Sequence, residues 1–226
     1  MSVTTSERRS FVFPSLFLLG GVAGAVLVWA LRSRMQRWGA TDDEVGAVLP
    51  GDDRVRHADF VTTRALTIAA EPAAVWPWIV QMGQGRGGMY TYDWLENMSG
   101  LDMHSADAIL PEWQGLKVGD MVPLEPSGSG YQVVALEPER LLLLHVDESS
   151  PGMMGREMAR AGGASTWAWT LRRAPGGGTR LVVRWRQRYG WRWRDPFALA
   201  LRLMLNPVEF VMERRMLLGI RERAEH

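Results

Sequence analysis

Residues 165–188 read STWAWTLRRAPGGGTRLVVRWRQR, two alternating runs joined by Ala174-Pro175-Gly176-Gly177-Gly178. Trp167, Trp169 and Leu171 share one side of the first run, and Leu181, Val183 and Trp185 one side of the second. A side-chain period of two is the signature of a half-buried strand. Pro-Gly-Gly-Gly is turn chemistry, so the two runs pair as neighbouring antiparallel strands. Arg180, Arg184, Arg186 and Arg188 fall opposite the apolar set, and the alternation predicts that they form a solvated face.

Working back from this pair, three further short strands are expected at Met121 to Leu124, Tyr131 to Leu136 and Leu141 to Val146. Pro-Ser-Gly-Ser-Gly and Glu-Pro-Glu punctuate them. Phe60 to Ala69 (FVTTRALTIA) reads as another strand, rich in β-branched residues. Between these strands, Glu71-Pro72 opens a helical stretch, AAVWPWIVQM, which Pro77 should kink or shorten. Asp93 to Ser99 reads as a second short helix, and Leu101 to Asp120 as a loop with one helical turn. The chain ends in helix: Pro196 to Leu205 is apolar nearly all round. Asn206-Pro207-Val208-Glu209 then has the order of an N-cap, a first-turn proline and an N3 glutamate, so a new helix is expected there. Val208, Val211, Met212, Met216 and Leu218 form its apolar stripe, with Arg215 inside it.

The N-terminal part has a different character. Residues 11–31, FVFPSLFLLGGVAGAVLVWAL, carry no charge and match the roughly 20 residues that cross a bilayer core as a helix. Arg8 and Arg9 flank the run on one side, and Arg32, Arg34 and Arg37 on the other. A cleaved signal peptide competes with this reading. The run is longer than such peptides use, and no Ala-x-Ala site follows it: the one present, Ala23 to Ala25, lies inside the run. The organisation expected is therefore a tail at 1–10, a transmembrane helix at 11–31, a juxtamembrane linker at 32–58 and a folded domain at 59–226. The small arginine excess after the run places that domain on the cytoplasmic side of the cell membrane.

Composition excludes several classes. A formal charge of +1 over 226 residues gives no footprint for nucleic acid. No cysteine is present, which removes thiol nucleophiles, disulfide frameworks and cysteine-ligated metals. Gly83-x-Gly85-x-x-Gly88 matches a dinucleotide fingerprint in spelling only, because no strand leads into it and no helix follows. Asp102, His104 and Asp107 are thin as a metal site with a single histidine. Ser105 and Ser165 have no nucleophile elbow. No cofactor or metal is expected, and the oligomeric state is not legible.

The order strand, two helices, antiparallel meander and long C-terminal helix, about residues 60–224, resembles the α+β helix-grip fold of the START-like (SRPBCC) superfamily. The likeness is to bacterial polyketide cyclase/dehydrase-like members. It is carried by Pro72-x-x-Val75-Trp76-Pro77-Trp78, by Gln81-Met82-Gly83-Gln84-Gly85-Arg86-Gly87-Gly88-Met89-Tyr90, by Tyr92-Asp93-Trp94-Leu95-Glu96-Asn97, by His104-Ser105-Ala106-Asp107 and by Pro111-Glu112-Trp113-Gln114. Met212-Glu213-Arg214-Arg215-Met216-Leu217 and Gly219-Ile220 complete it.

The resemblance implies a curved sheet wrapped around the C-terminal helix, with an apolar cavity between them for a hydrophobic small molecule, a lipid or isoprenoid among the candidates. Trp167, Trp169 and Trp185 are its expected walls, or else simple core filling. Trp78, Gln81, Gln84, Arg86, Tyr90, Tyr92, Trp94, His104 and Trp113 are further candidate ligand contacts. His104, Tyr92, Asp93 and Glu112 are the candidate proton-transfer groups should the cavity host cyclase or dehydrase chemistry. The alternative for the polar members is that they fasten a long loop onto the sheet. Gly190 to Asp195, alternating Trp and Arg ahead of an apolar stretch, suits docking on a membrane surface as well as burial.

Overall fold

A computed structural model describes residues 30–189 and 196–226. Residues 30–36 are helical, and the chain from Gln36 to His226 forms one unit. The span expected at 11–31 lies outside the described residues apart from Ala30 and Leu31. Gly190 to Asp195 also lie outside them. Among the described residues no helix is long and apolar enough to cross a membrane.

Six antiparallel strands make one sheet: β1 (Phe60–Ile68), β2 (Met121–Pro123), β3 (Gly130–Glu137), β4 (Leu141–Val146), β5 (Ala164–Arg173) and β6 (Thr179–Arg188), in the order β1-β6-β5-β4-β3-β2. The β5–β6 pair is in register from Ala164 opposite Arg188 to Arg173 opposite Thr179, which sets Trp167 against Trp185 and Leu171 against Leu181. The register shifts between Val133 and Ala135 on β3, a local irregularity of the kind that bends a strand. This α+β sheet, with its long C-terminal helix, is the helix-grip arrangement.

The helices are α1 (Asp42–Gly46), α2 (Pro72–Val80), α3 (Asp93–Met98), α4 (Gly152–Ala161) and α5 (Pro196–Ala224), with a 3₁₀ turn at Pro111–Trp113. Pro77 sits inside the short α2 without ending it. In α5 the break expected at Asn206-Pro207 does not occur, and the helix runs through Pro207 for 29 residues. A proline there removes one backbone hydrogen bond, a loss that burial of the following turns offsets. The buried side of those turns also differs from expectation. It carries Glu213, Met216, Leu217 and Ile220, whereas Val208 and Val211 are exposed. Arg215 leaves the stripe to pair with Glu222 at 2.8 Å.

The inner face of the sheet holds Trp167, Trp169, Leu171, Leu181 and Val183 in one core with Val75, Ile79, Met216 and Ile220 of the helices. The outer face corrects the solvated-arginine expectation. Residues 42–56, expected to be linker, lie across it. Arg184 is 3% exposed and donates to Thr63 Oγ1 (3.0 Å), Ala47 O (2.7 Å), Asp52 Oδ2 (2.8 Å), Glu44 O (2.8 Å) and Val45 O (3.0 Å). That set matches the five N–H donors of a guanidinium. Arg186 donates to Val55 O at 2.9 Å, and Arg188 alone of the four is exposed. Strand alternation reveals two faces but not what covers each.

Candidate functional site

A cavity of about 330 Å³ lies between the inner face of the sheet and α5. Its sheet wall is Tyr131, Trp167, Trp185 and Gln187. Met212, Met216, Glu209 and Glu213 come from α5, and Met154 and Met158 from α4. Met89, Thr91, Glu96, Leu101 and Met103 close the side formed by α3 and its flanking loops, with Leu124 beyond β2. Six of the chain's 13 methionines thus surround one space. Unbranched thioether side chains adapt to ligands of different shape and pack well against aromatic rings.

Each wall is fixed by a different local device. Trp167 and Trp185 face the cavity because strand alternation puts them opposite each other across β5 and β6. Trp167 stacks in tilted contact with Trp169 (5.0 Å between centroids) and Tyr131 (6.0 Å). Ser165 Oγ ties the sheet wall together. It accepts from Trp185 Nε1 at 2.8 Å, exchanges a hydrogen bond with Tyr131 Oη at 2.9 Å and donates to Arg186 O at 3.1 Å. Burial pushes the Tyr131 hydroxyl above its ordinary range, and the bond to Ser165 opposes that shift. Helix α4 docks through Met154 N, which donates to Ser129 Oγ at 2.8 Å, and it ends at Gly162 in a left-handed conformation.

The helix side of the cavity carries acid. Glu213 is 6% exposed and forms an ion pair with Arg64, itself 1% exposed, from β1. Glu209 approaches the same guanidinium at 3.9 Å. Burial pulls Arg64 down to about 10, and Glu209 works against that shift. Burial also raises the Glu96 carboxyl above its usual range, against the lowering effect of the Thr91 hydroxyl.

Of the residues singled out in the sequence, Trp167 and Trp185 line this cavity. Trp169 is fully buried in the core beside it. The polar candidates mostly fasten loops. Gln81 is buried, accepts from Leu110 N (2.9 Å) and Gln114 Nε2 (3.1 Å), and donates to Ala108 O (3.1 Å). Gln84 donates to Asp102 O at 3.3 Å, and Arg86 donates to Val80 O at 2.7 Å while stacking over Trp113. Tyr90 packs edge-on against Trp78 and donates to its carbonyl at 3.0 Å. Burial holds the Tyr90 hydroxyl up at about 12.

The four proton-transfer candidates do not meet at the cavity. Asp93 receives both the hydroxyl (2.6 Å) and the backbone N–H (2.7 Å) of Ser105. His104 is at the surface with its side chain 79% exposed, 3.1 Å from Asp102. Tyr92, Trp94 and Glu112 are exposed as well. Asp107 pairs with Arg223 at 2.8 Å, and among the described residues no three His, Asp or Glu side chains cluster as a metal site would require. Gly83 and Gly88 bridge each other through two 3.0 Å backbone bonds, a tight loop rather than a phosphate-binding turn. Met212 and Met216 were read in the sequence as part of a helix stripe, whereas the other four cavity methionines and the glutamates were missed as lining. Met154 and Met158, four apart and preceded by Pro151 and Gly152, carried a signal for α4.

No family model matches the chain, and no curated protein matches it as a relative. Solved structures similar to it include the di-domain ARO/CYC StfQ from the steffimycin biosynthetic pathway, 14% identical with a TM-score of 0.42 over 77% of this chain and 53% of that one. A second is protein MLL2253 from Mesorhizobium loti, 13% identical with a TM-score of 0.38 over 73% and 96%. A third is a Polyketide_cyc-like protein from Corynebacterium glutamicum, 15% identical with a TM-score of 0.30 over 73% and 86%. These likenesses concern the fold and carry nothing about ligand or chemistry.

Proposed function

We propose that this chain binds a hydrophobic small molecule, of the size of a lipid or isoprenoid fragment, in the cavity between the sheet and α5. The observation that carries the reading is the lining itself: about 330 Å³ surrounded by six methionines, two leucines and two tryptophans, with the carboxylates confined to the helix side. Binding rather than catalysis is favoured because His104, Tyr92, Asp93 and Glu112 all lie off this lining. The apolar run at 11–31 supports a tether in the cell membrane, with the domain on the cytoplasmic side, where membrane lipid is a ready source of ligand.

The test is native mass spectrometry of the full-length chain after gentle extraction, beside the variant Met158→Trp, which fills the space. A co-purifying apolar molecule carried by the wild type and absent from the folded variant is expected. Equal retention by both, or none by either, overturns the reading.

A further inference from the structure

Two tryptophans line the cavity, and their indole N–H groups fare differently. The Trp185 N–H has two acceptors, Ser165 Oγ at 2.8 Å and Tyr131 Oη at 3.0 Å. The Trp167 N–H has none among the described residues, although the side chain is buried and sits opposite Trp185 in the β5–β6 register. An indole nitrogen can only donate, and a buried donor without an acceptor is both uncommon and costly.

The other polar groups of the lining are engaged within the protein. Tyr131 exchanges a hydrogen bond with Ser165, and Gln187 accepts from Tyr189 at 2.7 Å. Glu213 is ion-paired with Arg64, Glu209 approaches the same guanidinium, and the Thr91 hydroxyl acts on the Glu96 carboxyl. That leaves the Trp167 N–H as the unmet donor of the lining. Trp169 also has an N–H without an acceptor, but it is buried in the core and does not line the cavity. The lining methionines, unbranched and adaptable, can yield to a ligand oxygen that approaches Trp167.

We infer that the cavity selects an apolar molecule bearing a neutral carbonyl, a ketone, aldehyde or ester, whose oxygen accepts from the Trp167 N–H while its alkyl or prenyl body lies among the methionines. This inference rests on the proposed ligand-binding function and adds the chemical class that the site takes. A pure hydrocarbon leaves the donor unmet. An alcohol accepts from it but brings a hydroxyl donor that needs a partner of its own, and a carboxylate brings a charge that must be desolvated.

The experiment uses the full-length chain in an amphipathic polymer, titrated calorimetrically with 2-decanone and with its isostere 2-methyl-1-decene, in which a methylene group replaces the carbonyl oxygen. Trp167→Phe is expected to weaken 2-decanone binding about tenfold while leaving the alkene unchanged. Trp169→Phe removes an N–H outside the lining and is expected to keep the ratio of the two affinities at its wild-type value. A wild-type ratio retained in W167F, or lost equally in W169F, overturns the carbonyl selectivity and leaves the hydrophobic-ligand reading standing. If W167F fails to fold, the indole N–H resonances of the nitrogen-15-labelled wild type decide. A downfield shift of one indole proton with the ketone and not with the alkene supports the inference, and its absence overturns it. Binding of neither probe by the wild type overturns both readings.

Discussion

Glu44 and Arg180 clasp each other across the outer face of the sheet, Nη2 to Oε2 at 2.7 Å and Nε to Oε1 at 2.9 Å. The same carboxylate accepts from Arg172 and from the backbone N–H of Thr41, whose hydroxyl caps α1 in return. One acid from outside the sheet thereby fixes two arginines on neighbouring strands and the start of its own helix.

The hydrogen bond from Arg180 is the main cause that holds the Glu44 carboxyl down at about 2 from 4.5, with burial opposing it. A carboxyl lowered by folding contributes stability that is complete above its unfolded value and is lost as pH falls from about 4.5 to about 2. Glu44→Gln should therefore cost roughly 2–3 kcal/mol at about pH 7. Chemical denaturation of both proteins from neutral pH down to about pH 2 checks this: their stabilities should converge in that acid window. A constant gap would show that Glu44 acts by shape rather than charge.

Ser165→Ala deletes the hub that joins Tyr131, Trp185 and the Arg186 carbonyl. The indole N–H still donates to the phenol at 3.0 Å, so the loss of one partner by each costs about 1 kcal/mol. Urea titration should report this loss, and Trp185 emission should shift because its N–H environment changes. An unaltered emission maximum would contradict the tie described for the sheet wall.

Gly219→Ala tests packing against propensity. Inside a helix, alanine is favoured over glycine by about 1 kcal/mol. Here the added Cβ would sit 2.6 Å from the Tyr90 carbonyl oxygen and 2.9 Å from Tyr90 Cβ, while Tyr90 is anchored by its hydroxyl to Trp78. Net destabilisation is expected, seen as a lower unfolding temperature. A gain would mean that the Tyr90 loop gives way easily.

His104→Ala should change little. Its ring is exposed and touches only Asp102 among the contacts described. Stability within about 0.5 kcal/mol of the wild type and unchanged ligand retention are expected. A large loss of retention would return the histidine to the site.

The strands were legible because alternation and turn residues agree along them: Leu141 to Val146 and Thr179 to Arg188 begin and end where the sequence predicts. Elsewhere local pattern was not enough. Asn206-Pro207 spells a helix start, yet α5 passes through it, because packing of the following turns outweighs a local cap preference. The arginines of β6 alternate as a wet face does, and only the fold brings Glu44 and Asp52 over them. In the candidate site, Trp167 and Trp185 were visible as strand partners. Met212 and Met216 were legible only as a helix stripe, and the other four methionines not as lining at all, since they come from α4 and the loops around α3 and share no common period. Gln81, Arg86 and Asp93 were noticed for their chemistry, but their hydrogen bonds are spent on loop backbone and on Ser105.

The covering of the outer face determines where the chain can be cut. Four of the five hydrogen bonds of Arg184 go to residues 44–52, and Ala65 N on β1 donates to Trp38 O at 3.0 Å. A fragment starting at residue 59 would strand a row of guanidiniums in water and bare a sheet surface that needs its strap. The smallest severable unit thus starts at or before Trp38, and N-terminal trimming by a protease should stall there instead of at the first strand.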